Sequence, residues 1–390
     1  MKVGPDASTP ARSWFARVMA HLAWRWNRAR KAPGRLLNQW LGTLWYDLWL
    51  KRKSRIVQGS LAESERCAVY VLYPRLGLQE SHLASLAYLV SKGFSPLVVS
   101  NLPLAPQERE RLRPLCWKLM ERPNYGYDFG AYRDGVLLAL EVLPNMRQLL
   151  LANDSAWFPV PATSDWLAQA EGLNVDLAGA ASNDGWVSYL SDAVRGQPWI
   201  FDPLAPRLHY CSFALLLGSR VLRDPGFNKF WRDLKLTSDK FLTIRRGEVG
   251  LSRWIIEQGY SHMSTLNLTG FDQELEQLDI TRLRDLAAHL IIPEDTEMRE
   301  EQNRLVEQPS ELSDPVALRR FILWATAATG PAYALPYWSL PEHGFGFLKK
   351  SPMWLSEPTA RITELIIERY GDAATLDEAR QLARRVSAKL

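Results

Sequence analysis

Asn124-Tyr-Gly-Tyr-Asp-Phe-Gly-Ala-Tyr-Arg-Asp-Gly135, a helical run to Leu143, and then Leu149-Leu-Leu-Ala-Asn-Asp-Ser155 form the stretch on which the fold turns. A polar loop bearing glycines opens the helix Gly130–Leu143, and the apolar strand Gln148–Ala152 that follows carries an acidic residue, Asp154, past its end. Loop, helix and strand in this order are the layout that a Rossmann-like sheet uses to hold a phosphorylated ligand.

Working outward, the same alternation repeats on the N-terminal side. Ala68-Val-Tyr-Val-Leu-Tyr73 is an apolar run of strand length that stops at Pro74. Glu80–Lys92 places Leu83, Leu86, Ala87 and Val90 at helical spacing and meets Gly93 as a stop signal. Pro96–Ser100 and Trp117–Met120 read as further strands with a helix, Pro106–Leu115, between them. Downstream, Val175–Ala180 and Leu208–Leu217 read as strands, and Asp224–Leu234 and Glu248–Gln258 as helices. Strands alternating with helices predict an α/β chain with a Rossmann-type, mostly parallel sheet flanked by helices. Ligands bind such sheets beyond the carboxyl ends of the strands. That edge would hold Pro74, Ser100-Asn101 and Asn153-Asp154.

Composition narrows the setting. The 390 residues can hold one large domain or two smaller ones, and three widely spaced cysteines (Cys67, Cys116, Cys211) suggest a reducing compartment without a disulfide framework. Charge is distributed unevenly. Residues 1–57 carry twelve Lys or Arg against Asp6 and Asp47, a net of +10, so the remaining chain stands at −6 within the overall +4. Six of the sixteen tryptophans lie in the same segment. Trp14, Val18, Leu22 and Trp26 share one helical face, Leu37, Leu41, Leu44, Trp45 and Leu48 another, and Pro33-Gly34 separates the two. Tryptophan beside arginine and lysine suits a bilayer interface, so residues 1–58 are expected to lie on an anionic membrane surface at the inner, cytoplasmic face of the cell membrane. The apolar stretch Leu36–Leu50 contains Asn38, Gln39 and Asp47 and falls short of the roughly 20 residues of a spanning helix. Packing of these helices on the body through their apolar faces is the alternative. No nucleic-acid recognition motif accompanies the charge, and the acidic body argues against a nucleic-acid partner.

The glycine loop is neither of the two familiar phosphate loops. Tyr127-Asp128 stands where a dinucleotide loop needs small residues, and no Gly-Lys-Ser/Thr follows. The stretch instead resembles the one that inverting glycosyltransferases of the GT-A fold place before their metal motif, with Asn124, Gly126, Ala131, Arg133, Asp134 and Gly135 at matching places and Asn153-Asp154-Ser155 where Asp-x-Asp would stand. More closely, the chain is similar to the rhamnan synthesis protein F family of polysaccharide glycosyltransferases. The pieces that carry this are Tyr127–Ala131, Asp134-Gly135, Asn153–Ser155, His209–Ser212, Phe227–Trp231, Glu248–Ser252 and Gly259-Tyr260, in order across about residues 65–265.

The resemblance implies a GT-A-like fold and a sugar-transfer site. Asn124, Gly126, Asp128, Arg133, Asp134, Asn153 and His209 would contact a nucleotide-sugar donor, for which dTDP-rhamnose is one plausible identity. Asp154 would give one oxygen to Mg²⁺ or Mn²⁺, and with Asn153 replacing the first carboxylate this divalent cation becomes an optional cofactor. Arg133 or His209 could then carry part of the phosphate charge. Asp128 and Asp134 could equally bind their own loop amides, and Asp154 could serve as a turn residue. Tyr125, Tyr127 and Tyr132 are candidates for stacking on a base or sugar. An inverting transfer needs a base for the acceptor hydroxyl. Glu248, read as opening a helix after Arg245-Arg246-Gly247, is the first candidate, and Asp184 the second.

The expected protein is therefore a membrane-associated, inverting glycosyltransferase that extends a cell-surface polysaccharide or lipopolysaccharide on a glycan or lipid-linked acceptor. The rival from another class is a non-catalytic GT-A-like protein that binds glycan or partners at the membrane. Three parts are expected: residues 1–58, a sugar-transfer domain over 59–275, and a helical C-terminal region over 276–390. In the last, Gly344-Phe-Gly-Phe and Lys349-Lys350 read as an acceptor-side cap or a second membrane contact.

Overall fold

The computed structural model describes residues 41–160, 164–185, 199–293, 295–309 and 312–387. The first expected amphipathic helix, and Leu37 of the second, lie outside them. Twelve strands are described: Arg55–Gln58 (β1), Arg66–Leu72 (β2), Ser95–Ser100 (β3), Lys118–Glu121 (β4), Gln148–Asn153 (β5), Ala156–Trp157 (β6), Leu177–Gly179 (β7), Ser182–Asn183 (β8), His209–Tyr210 (β9), Ala214–Gly218 (β10), His262–Ser264 (β11) and Leu348–Lys349 (β12). Eight of them form one sheet in the order β1-β4-β3-β2-β5-β10-β7-β11. The β4-β3-β2-β5 block is parallel, as is β7-β11, while β10 runs antiparallel between β5 and β7 and β1 runs antiparallel on β4. This is the expected mostly parallel sheet flanked by helices. The carboxyl ends of β2, β3 and β5 share one edge, and the site residues gather there.

Period-two alternation explains why both faces are covered. On β2, Cys67, Val69 and Val71 face one core with Leu97 and Val99 of β3 and Leu149 and Leu151 of β5. Ala68, Tyr70 and Leu72 face the other, with Val98, Leu150 and Ala152. Helix α1 (Glu80–Ser91) sends Leu86 and Leu89 into the second core. Helix α2 (Tyr127–Val142), which begins three residues before the expected start, packs Ala131, Val136 and Ala139 into the first. Gly135 lets it lie close, since a Cβ there would stand 2.6 Å from Val69 Cγ1.

Two expectations need correction. The run Leu208–Leu217 is not one strand. It breaks at Cys211–Phe213, so that β9 pairs with β8 in a separate hairpin while β10 joins the main sheet. Ser212 makes the break useful, because its carbonyl accepts from Tyr132 Oη and its N–H donates to Glu248. Nor does Glu248 open a helix. The helical run starts at Lys240, capped by the Asp239 side chain, passes through a π-helical turn at Arg245–Val249 and continues as Gly250–Glu257. Gly247, which looked like a helix break, instead presses its bare α-carbon on Phe129, where a Cβ would stand 2.2 Å from Cγ of the ring.

The flanking regions are tied to this body. β1 falls within the expected N-terminal part, so the sheet reaches back to Arg55. Before it, Tyr46 is fully buried and stacks on Tyr125 with centroids 5.6 Å apart. The opposite face of the same turn exposes Leu41, Leu44, Trp45, Leu48 and Trp49. From residue 271 onward the chain is mainly helical. Leu283, Leu318, Phe321, Phe345 and Phe347 share one core with the sheet, and β12 pairs with β6 immediately after the Asn153–Ser155 turn. The C-terminal region thus closes over the strand ends. Among the described residues no helix is long and apolar enough to cross a membrane.

Candidate active site

Where β5 ends, the chain turns through Asn153-Asp154-Ser155, and each side chain has a defined task. Asp154 Oδ2 accepts from the Tyr73 N–H at 2.7 Å, which ties the end of β5 to the end of β2. His82 Nε2 approaches the same oxygen at 3.7 Å. The His82 Nδ1 accepts from the Gln79 N–H at the start of α1, so in the neutral ring the proton sits on Nε2, toward Asp154. The ring is neutral, because burial, and then Lys350, hold its pKa well below the usual histidine range. Burial also raises the Asp154 pKa, against the pull of Lys350 and of the Tyr73 N–H.

Asn153 explains its own departure from Asp-x-Asp. Its Oδ1 accepts from the Ser155 N–H at 3.1 Å, and its Nδ2 donates to Asp128 Oδ2 at 3.3 Å. A carboxylate at 153 would have no donor for Asp128 and would repel it. Asp128, at the start of α2, is held up to about 6 by burial first and by Asp154 and Glu248 next, against Lys349 and Lys240. A carboxyl that binds its proton more tightly when folded lowers stability as pH rises from the unfolded value near 4 through about 6. Asp128→Asn is therefore expected to stabilise the free protein at pH 8, by on the order of 2–3 kcal/mol, and to leave it little changed at pH 4. Thermal melts at both pH values check this.

Glu248 faces the same place from the π-helical turn. Its Oε1 accepts from the Ser212 N–H at 2.6 Å, while Oε2 makes no hydrogen bond among the described residues. Ser252 steadies this turn by donating to the Glu248 carbonyl and accepting from the Tyr210 N–H. A π-helical turn adds a residue to the helix and re-aims the side chains around it, as it commonly does at functional sites.

The other expected site residues have different surroundings. Asn124 is exposed, and Gly126 takes a left-handed conformation (φ 79°) as the residue before α2. Arg133 is bound to Asp47 by two hydrogen bonds of 2.6 and 2.8 Å and to the Trp231 carbonyl. Asp134 is buried on Arg122 and Tyr46, with Lys51 at 3.3 Å. Both were expected at the donor, and both instead hold the N-terminal segment. The cause is helical geometry. At 3.6 residues per turn they stand about 140° and 240° around α2 from Asp128. His209 and Asp184 meet on the β8–β9 hairpin, 3.9 Å apart. His209 donates from Nδ1 to the Arg207 carbonyl, and Asp184 sits at φ 58°.

Several site residues come from segments that no motif marked. Lys349, half-buried on β12, donates to Ser155 Oγ at 2.9 Å and lies over the Phe213 ring. Lys350 donates its backbone N–H to the Ser155 carbonyl, and its buried ammonium contacts Ser81 Oγ at 3.0 Å and Glu378 at 2.8 Å. His82 and Ser81 sit in an ordinary-looking helix start. Lys349-Lys350 stood out only as a charged pair after an aromatic run. For a divalent cation, Asp154 and Asp128 would be the protein ligands. Among the described residues no three His, Cys, Asp or Glu side chains converge on one point, and one oxygen of each aspartate already accepts a hydrogen bond. This donor set does not make a resident metal centre.

The sequence profile of rhamnan synthesis protein F matches residues 97–295, about half of the chain, and takes in Asp128, Asn153, Asp154 and Glu248 but not His82 or β12. The chain belongs to the rhamnan synthesis protein F family. A curated relative, the uncharacterized protein y4gN of Sinorhizobium fredii, is 26% identical over 260 residues, 66% of this chain and 63% of that protein. The chain thus spans less than two thirds of this relative's length. Among solved structures, mannosyltransferase PcManGT from Pyrobaculum calidifontis, in complex with GDP-Man and Mn2+, overlays 92% of this chain and 95% of its own at 14% identity and TM-score 0.32. Core-mannan synthase A from Aspergillus fumigatus, in its Mn/GDP form, overlays 51% of this chain and 71% of its own at 10% identity and TM-score 0.31. Overlays this loose add nothing to what the strand order and family membership establish.

Proposed function

We propose that this protein is a glycosyltransferase that moves a sugar from a nucleotide-sugar donor to a glycan or lipid-linked acceptor, with inversion at the anomeric carbon. The observation that carries the reading is the meeting of Asp128, Asn153 and Asp154 with Glu248 at the carboxyl edge of the sheet, in a chain of this family. The donor lies over the Asn153–Ser155 turn. Asp128 and Asn153 form a linked pair that can take the hydroxyls of its ribose or sugar. Glu248 takes the proton of the acceptor hydroxyl on its unbonded oxygen, and Ser212 keeps the carboxylate in place. A single displacement with one base inverts configuration. Rhamnose is the sugar suggested by the family's name, and a cell-surface polysaccharide the corresponding product.

Release of nucleotide from a panel of nucleotide sugars, dTDP-rhamnose among them, with and without chelator, tests the activity. One donor is expected to turn over, and Asp154→Ala is expected to cut that turnover at least tenfold, because it removes the acceptor that ties the end of β5 to the Tyr73 N–H after β2 at the donor turn. If no donor in the panel turns over and none binds by calorimetry, the protein is a binding member and not an enzyme.

The same proposal places the N-terminal segment on an anionic membrane surface, at the inner face of the cell membrane. Support comes from the exposed Leu41, Leu44, Leu48 and Trp49 beside Lys51-Arg-Lys53, while Tyr46 and Asp47 secure the other face to the body. Leu44→Gln/Leu48→Gln/Trp49→Gln is expected to lower binding to phosphatidylglycerol vesicles at least tenfold without changing the melting temperature. Unchanged co-sedimentation would rule out this surface. These substitutions are preferable to deleting residues 1–57, which would also remove Tyr46, Asp47 and β1.

A further inference from the structure

Lys349 and Lys350 come from the C-terminal region, outside the residues that the family profile matches, yet both attach to the one turn that follows β5. Their states differ. Lys350 is buried and paired with Glu378, itself buried, so its charge is matched and it acts as a strut between α1, the turn and the C-terminal helix Ala373–Ser387. Lys349 forms no ion pair with a carboxylate among the described residues. Its ammonium has the neutral Ser155 hydroxyl and the faces of Phe213 and Tyr333, at 4.5 and 5.6 Å to the centroids. A half-buried ammonium held by a hydroxyl and two rings, beside the turn that meets the donor, is a preformed anion site.

We propose that Lys349 binds the diphosphate of the nucleotide-sugar donor and neutralises the charge that collects on it during transfer, the task a metal ion performs at an Asp-x-Asp turn. The proposal rests on the glycosyltransferase reading above. In the step it serves, the bond between the anomeric carbon and the β-phosphate oxygen breaks, and its electron pair stays on that oxygen. The acceptor oxygen forms the new bond to the anomeric carbon as its proton passes to Glu248. The negative charge on the departing nucleoside diphosphate rises as the bond breaks, so a fixed cation beside it stabilises the transition state more than the ground state. Ser155 aims the ammonium, and the rings beneath it keep water from one side. The β12–β6 pairing fixes the height of Lys349 above the turn, with Lys349 opposite Ala156. The missing first carboxylate of the motif follows from the same arrangement, since a site whose cation is an ammonium does not need a second metal ligand.

The test uses the full chain and three probes: a nucleoside diphosphate, the matching monophosphate, and the nucleotide sugar that turns over. Lys349→Met keeps the aliphatic stem over Phe213 and removes the charge, Lys349→Arg restores it, and melting temperatures confirm that both fold. Lys349→Met is expected to weaken diphosphate binding at least tenfold while changing monophosphate binding less than threefold, and to lower kcat about 10²–10³-fold. Lys349→Arg should recover at least a tenth of the wild-type rate, and wild-type turnover should survive excess EDTA. Unchanged diphosphate binding and rate in Lys349→Met would overturn the proposal, as would wild-type turnover abolished by EDTA and restored by Mn²⁺. If wild-type protein binds neither nucleotide nor nucleotide sugar, the glycosyltransferase reading itself has failed. Failure of the lysine alone shows only in the variant.

Discussion

Arg122→Ala should cost the fold about 3–5 kcal/mol, the largest stability loss expected from any single side chain beneath the site. Arg122 is almost wholly buried where β4 ends, and every face of its guanidinium is used. Nε donates to Asp134 at 2.8 Å and to Tyr46 Oη at 3.0 Å, Nη1 to Asn101 Oδ1 at 2.5 Å, and Nη2 to the Tyr125 carbonyl at 2.8 Å. Truncation would leave Asp134 buried with Lys51, at 3.3 Å and partly exposed, as its ion-pair partner among the described residues. The penalty is chiefly that of an uncompensated buried charge, so removing both charges should be less damaging than removing one. Urea unfolding of Arg122→Ala, Asp134→Ala and the double variant measures it. The double variant is expected to be more stable than the sum of the two single losses predicts. Single losses below about 1 kcal/mol would mean that the cluster is wet and unimportant. The cluster also links regions. Asn101 belongs to the carboxyl edge, Tyr125 to the glycine loop and Tyr46 to the segment proposed for the membrane surface. Loss of Arg122 should therefore loosen the donor loop together with the N-terminal attachment.

The central sheet was legible because its strands are buried on both faces and so read as unbroken apolar runs: Ala68–Tyr73, Pro96–Ser100 and Gln148–Ala152 all fall within a residue or two of the observed strands. What could not be read was decided by partners distant in sequence. Tyr46 and Asp47 pass as ordinary positions of an amphipathic helix until Asp134 and Arg133, more than 80 residues on, are placed against them. β12 is a two-residue strand whose partner lies almost 200 residues earlier, so no local pattern marks it. Within the site, Asp128, Asn153, Asp154 and Glu248 were legible from the ordered pieces of the family pattern. His82, Lys349 and Lys350 were not, because a histidine at a helix start and a lysine pair in a loop have commoner explanations. Arg133 and Asp134 misled for a simpler reason. Adjacency in a motif says nothing about which side of a helix a residue faces, and α2 starts early enough to turn both toward the N-terminal segment.

Glu248→Gln is expected to lower kcat by about 10²–10⁴-fold with little change in the KM for donor. Glutamine keeps a carbonyl oxygen for the Ser212 N–H, so the link to the residues before β10 survives and the π-helical turn has no reason to shift. What it loses is the ability to take a proton from the acceptor hydroxyl. A structural Glu248 and a catalytic one therefore differ in measurable ways. If the side chain serves only as an anchor for Ser212, the glutamine variant should turn over at close to the wild-type rate, and Glu248→Ala should lose both stability and activity. If it is the base, both variants lose turnover, the glutamine variant melts like wild type, and the acidic limb of the pH–rate profile disappears with the carboxylate. Asp184→Asn is the control. Asp184 sits on the β8–β9 hairpin with His209 at 3.9 Å and Arg207 at 3.7 Å, and it has no hydrogen bond that aims it at the strand-end turn among the described residues. Its replacement should leave kcat within about threefold of wild type, far short of the 10²-fold or larger loss of a missing base. Should Asp184→Asn remove the acidic limb while Glu248→Gln keeps it, the base is Asp184 and the acceptor enters over the hairpin instead of past Ser212.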